Sequence, residues 1–101
     1  MDNIDCIEGK IYALKSHMTD KIYIGSTTQK YLSKRFYTHR DKFKKKINNY
    51  YMSSFEIVKF DDVYIELLCV VKCKNRAELN NIERFYIKKN IDKVVNKYMT
   101  K

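Results

Sequence analysis

Proline and tryptophan are absent from this 101-residue chain, and glycine occurs only twice. No low-complexity linker or internal repeat interrupts it, so one small domain over residues 1–101 is expected, with its core at about 9–97. Long apolar runs are also missing. None approaches the roughly 20 residues that cross a bilayer, which argues against a membrane partner. Residues 1–8 are acidic and lack the apolar stretch of a secretory signal, so an intracellular setting, cytoplasmic or nuclear, is expected. The three cysteines, Cys6, Cys69 and Cys73, are odd in number and spaced unlike a disulfide framework or a zinc knuckle. Reduced thiols partly buried on a strand are the expectation.

What is present is apolar and basic. A 45% hydrophobic share is enough to build a core, which excludes a wholly disordered chain. Lysine and arginine number 21 against 12 acidic residues, a net charge of +9. That density on a small domain points to a polyanion, nucleic acid before an acidic membrane surface. The excess lies in two stretches. Residues 29–49 carry eight basic side chains against Asp41, for +7, and residues 84–101 carry six against Asp92, for +5. One such run is commonly just a solvated face, but two in so short a chain favour phosphate contact. Abundant Lys, Asn, Ile and Tyr fit an AT-rich genome, a virus-encoded chain among the options.

Residues 10–15 read as a strand with Tyr12 and Leu14 on one face and Ile11 and Ala13 on the other. Residues 21–25 read as a second, joined to the first by a short polar hairpin. Leu32, Phe36, His39, Phe43 and Ile47 recur at helical spacing, predicting a helix over 30–46 that Asn48 and Asn49 break. Ser53-Ser54-Phe55-Glu56 resembles a capping box opening a short helix to about Phe60. Residues 63–71 form a β-rich strand with Glu66 as its only charge. Asn75 starts a last helix reaching about Lys89. The order β-β-α-α-β-α predicts an α+β fold, a three-stranded, mainly antiparallel sheet covered by helices.

Some residues sit awkwardly in that scheme. Glu83 lies on the apolar stripe of the last helix, with Leu79, Ile82 and Tyr86. A carboxylate turned inward is costly unless paired. Its partner is either a salt bridge, to Arg35 or a nearby lysine, or a hard divalent cation, which is often held by only one or two carboxylates. His39 sits within the apolar stripe of the first helix and Arg35 one turn earlier at its edge. The pair faces the hairpin, as a snorkelling arginine and a core histidine or as groups aimed at phosphate. Tyr12 and Tyr23 are strand tyrosines whose hydroxyls share a face only if the hairpin register allows it. Gly25 permits a close approach to the backbone, and the hydroxyls of Ser26, Thr27 and Thr28 are candidate caps for the first helix.

Lys10-Ile11-Tyr12, followed after eight residues by Lys21-Ile22-Tyr23-Ile24-Gly25-Ser26, resembles the signature of the GIY-YIG nuclease superfamily. Lys34-Arg35-Phe36-Tyr37-Thr38-His39 is similar to that family's arginine–histidine helix. Asn81 to Ile87, centred on Glu83, is similar to its glutamate helix, and Val94-Val95-Asn96-Lys97 to its terminal asparagine motif. The resemblance implies metal-dependent hydrolysis of a DNA phosphodiester. Glu83 would hold one Mg2+ or Mn2+, and Tyr12 would be the general base or orient the attacking water. Tyr23 would help place the nucleophile. Arg35 would neutralise transition-state charge, with His39 assisting it or the base. Asn96 would pin the active-site backbone or contact substrate, and Lys34 and Lys42 are candidates for holding the DNA strand.

Lys10 stands where the signature has glycine, with lowering of the tyrosine pKa as a candidate effect. The expectation is a stand-alone endonuclease with low specificity, or with specificity from a homodimer or an accessory DNA-reading partner. The alternative is a non-catalytic nucleic-acid-binding module that kept the nuclease fold.

Overall fold

The computed structural model describes residues 6–46 and 51–96. Ile47, Asn48, Asn49 and Lys97, which figure in the sequence patterns above, lie outside the described residues, as do residues 1–5. The chain runs β1 (Ile7–Ser16), β2 (Thr19–Thr27), α1 (Leu32–Lys44), α2 (Phe55–Val58), β3 (Tyr64–Cys73) and α3 (Arg76–Lys89). The expected α+β order is the observed one. Both hairpin strands extend beyond their predicted limits because ladder pairing continues past the alternating apolar core of each.

The three strands form one antiparallel sheet in the order β2-β1-β3. A central β1 has no solvent face, and its alternation therefore separates two apolar layers rather than inside from outside. Ile11 packs with Ile24, Cys73, Leu79 and Ile87 beneath α3. Tyr12 and Leu14 pack on the other face with Ile57, Val58 and Val63, and with Leu32, Phe36 and Phe43 of α1. Gly9 is needed on the α3 side, where a Cβ would meet Leu79 Cδ1 at 2.6 Å.

Past α3 the chain returns to the sheet. Ile22 N–H donates to the Lys93 carbonyl at 2.9 Å, and Val95 N–H donates to the Ile22 carbonyl at 2.8 Å. This short parallel bridge lies along the outer edge of β2.

Helix starts depart from the sequence reading in two places. α1 begins at Tyr31 in extended conformation with no side-chain cap. The threonine and serine hydroxyls expected there are engaged elsewhere: Thr27 Oγ1 accepts from Gln29 N–H at 3.1 Å, and Ser26 donates to Glu83. The capping box at 53–56 does not form either, since Ser54 precedes α2 with helical φ −61° and ψ −21° and makes no side-chain cap. Its hydroxyl lies against His39 instead. At α3 the cap is as expected, with Asn75 Oδ1 accepting from Glu78 N–H at 2.9 Å. No helix of the described residues is long and apolar enough to cross a membrane.

Candidate active site

The hairpin register settles the placement of the two tyrosines. Tyr12 lies opposite Gly25, and Leu14 opposite Tyr23, so Tyr12 and Tyr23 sit on one face two positions apart along the ladder. The phenol of Tyr12 crosses over Gly25. A Cβ there would lie 2.5 Å from the Tyr12 hydroxyl oxygen and 3.0 Å from Tyr23 Cε2. The close approach that glycine permits is thus made by a side chain of this chain.

α1 lays Arg35 and His39 over the same face. His39 is 1% exposed and Tyr12 fully buried. The Tyr12 hydroxyl is 2.7 Å from His39 Nε2 and accepts from Arg35 Nε–H at 3.0 Å. Both tyrosine rings meet His39 edge-on, with centroids 5.8 Å from Tyr12 and 5.4 Å from Tyr23. The far ring nitrogen, His39 Nδ1, is 3.0 Å from Ser54 Oγ.

Glu83 comes from the opposite face of the sheet. It is half-buried on α3 and accepts a hydrogen bond from Ser26 Oγ at 2.5 Å. Ser26 is next to Gly25, so the strand end that crosses the phenol of Tyr12 also orients the carboxylate. Arg76 Nη2 donates to the Ser26 carbonyl at 3.4 Å. The sequence offered a salt bridge or a cation as Glu83's partner, and the serine went unread, because a hydroxyl 57 positions away leaves no local pattern.

Burial dominates the titration behaviour. It raises the Tyr12 pKa above the usual tyrosine value, with Arg35 opposing and the Glu83 charge adding to the rise. Tyr23 is raised as well, first by burial, then by Tyr12 and Glu83. Burial, with the Arg35 and Lys42 charges, pushes His39 down to about 3, so its imidazole is neutral near pH 7. The cations acting on Tyr12 are Arg35 and Arg76. Lys10, the candidate for that effect, instead donates to the Gln29 carbonyl at 3.1 Å, with Glu8 3.9 Å away.

Asn96 is 7% exposed and clamps β2: Oδ1 accepts from Ile24 N–H at 3.1 Å and Nδ2 donates to the Ile24 carbonyl at 2.8 Å. Lys34 and Lys42 are exposed on α1. Lys34 borders a shallow groove with Ser33, Tyr37 and Thr38, beside the Arg35–Tyr12 contact rather than in it.

Among the described residues no group of three or more His, Cys, Asp or Glu side chains is placed to hold a metal ion. The three cysteines are free thiols. A single carboxylate fits an ion of the magnesium type, which takes its remaining ligands from water and phosphate, and does not fit a closed zinc site.

The family model of the GIY-YIG catalytic domain matches residues 8–98, nearly the whole chain. No curated protein and no solved structure matches it.

Proposed function

The chain belongs to the GIY-YIG family of nuclease domains, and from that premise we propose that it is a divalent-metal-dependent DNA endonuclease worked by Tyr12, Tyr23, Arg35, His39 and Glu83. The observation that carries this reading is the convergence of His39 Nε2, at 2.7 Å, and Arg35 Nε, at 3.0 Å, on the Tyr12 hydroxyl, with Glu83 close enough to act on both phenols.

Cleaving a phosphodiester requires an activated water, neutralisation of the non-bridging oxygens and stabilisation of the departing alkoxide. Arg35 has five donors and one is on Tyr12, which leaves a planar fork for phosphate oxygens. Tyr12, after losing its own proton to solvent, takes the proton of the attacking water as a phenolate. Its raised pKa keeps the phenolate scarce near pH 7, and Arg35 works against that rise. Because Tyr12 is fully buried, water reaches its oxygen only when the side chains above it shift on DNA binding. Tyr23, half-buried beside it, hydrogen-bonds near the scissile phosphate. His39, neutral, accepts at the phenol and keeps a second positive charge away from Arg35. Glu83, held by Ser26, is the residue that would bind Mg2+ or Mn2+. When bound, that ion would supply charge neutralisation at the phosphate and a more acidic water. The exposed lysines of α1, Lys34 and Lys42 among them, hold the DNA backbone.

The test is a plasmid nicking assay in Mg2+ or Mn2+, with Glu83→Gln and Arg35→Ala beside the wild type. Loss of about 100-fold or more is expected for Arg35→Ala, the scale of removing one transition-state donor, and nicking by Glu83→Gln should vanish. Unchanged nicking in both variants overturns the site. Binding of DNA without nicking under either metal marks a binding module that kept the fold.

A further inference from the structure

Behind His39 stands a buried hydroxyl that the proposed chemistry leaves unused. Ser54 is 0% exposed and its Oγ is 3.0 Å from His39 Nδ1, while His39 Nε2 is 2.7 Å from the Tyr12 hydroxyl. Its backbone is already helical and its hydroxyl caps nothing. The three side chains thus form a line, Ser54–His39–Tyr12, drawn from α2, α1 and β1.

The donors and acceptors along that line have two solutions. A neutral imidazole carries one proton, on Nδ1 or on Nε2. Arg35 Nε–H already donates into the Tyr12 oxygen. If His39 donated there as well from Nε2, the phenol's own proton would be turned into a fully buried space without a protein acceptor among the hydrogen bonds of the described residues. Stranding a buried donor is unfavourable. With the ring proton on Nδ1, the phenol donates to Nε2 and Nδ1–H donates to Ser54 Oγ. The remaining proton is then the serine's, which also has no acceptor among the hydrogen bonds of the described residues, but a serine hydroxyl turns about its Cβ–Oγ bond whereas a phenol's proton is held near the ring plane. Each solution leaves one proton over, and the second places it on the hydroxyl that can reorient.

We propose that Ser54 is a positioning residue: by accepting from Nδ1–H it fixes the tautomer and ring orientation of His39, keeping Nε2 as the acceptor that aims the Tyr12 hydroxyl. What one ring nitrogen bonds decides which face the other presents. Ser54 touches no reacting atom, and its effect on cleavage passes through His39. The tautomer follows from the hydrogen bonds alone, whereas the catalytic consequence rests on the nuclease reading.

The experiment reads the tautomer directly, by long-range 1H–15N spectra of the imidazoles in the labelled full chain. The chain has two histidines, so His17→Gln assigns the signals. In the wild type His39 should be the Nδ1–H form. In Ser54→Ala it should shift towards the Nε2–H form, and Ser54→Thr should restore it. An Nε2–H wild type, or no change in Ser54→Ala, overturns the proposal. If Ser54→Ala does not fold, the wild-type and Ser54→Thr spectra decide it. In the nicking assay, Ser54→Ala should lose turnover by roughly tenfold at unchanged DNA affinity, with Thr restoring it. Equal turnover overturns the catalytic consequence. A wild type that nicks nothing sinks the nuclease reading instead, and the spectra still judge Ser54.

Discussion

Gly25 shows how a single residue type can carry a whole site. A methyl group at this position would collide with the Tyr12 hydroxyl and press on the Tyr23 ring. Gly25→Ala should therefore destabilise the fold by about 1–3 kcal/mol, the cost of overpacking, and abolish nicking by displacing the phenol. Thermal unfolding beside the nicking assay separates the two losses. His39 leaves a different mark. Its folded pKa of about 3 lies below the unfolded value of 6.5, so the unfolded chain binds the extra proton between those values. Stability from this group is therefore fully present above about pH 6.5 and falls as pH drops towards 3. Denaturant titrations across that window should show the slope, and His39→Gln should flatten it. Tyr12, raised by burial, predicts nicking that climbs as pH rises through the neutral range, with Tyr12→Phe removing activity at every pH.

Among the elements, the returning C-terminal segment shapes the site without entering it. It bridges β2 at Ile22, and Asn96 completes the contact at Ile24, directly before Gly25. Asn96→Ala would leave both Ile24 backbone groups without their buried partner, costing about 1–3 kcal/mol. Lower thermal stability with unchanged DNA affinity is expected. Weakened DNA binding at full stability would make Asn96 a substrate contact instead. Element boundaries were well marked in the sequence wherever apolar spacing was long and regular, as in α1 and α3. The caps of α1 and α2 differ from the sequence expectation, unlike that of α3, because serine and threonine patterns fix only a local option. Ser26 and Ser54 each found a stronger partner across the fold, a carboxylate and an imidazole.

For the whole molecule, charge is what the proposed DNA contact depends on. Within the +7 stretch over 29–49, Lys34, Lys42 and Lys44 of α1 are exposed. DNA affinity should fall steeply with salt, and Lys34→Ala and Lys42→Ala should each lower the slope of log affinity against log salt by about one. Binding measured at several salt concentrations checks this. A slope left unchanged by both places the DNA elsewhere. If the proposed single site cuts one strand per encounter, nicked plasmid should accumulate before linear forms in a time course.

The sequence on its own determined the strand and helix order, the basic surface and the candidates Tyr12, Tyr23, Arg35, His39 and Glu83, because periodicity and residue type are local properties that survive without a fold. Only the tertiary structure decided that both phenols share a face, that Gly25 makes room for one of them, that Ser26 takes the Glu83 carboxylate and that Ser54 backs His39. Those pairings join residues 11 to 57 positions apart, and at such separations register and packing choose the partner.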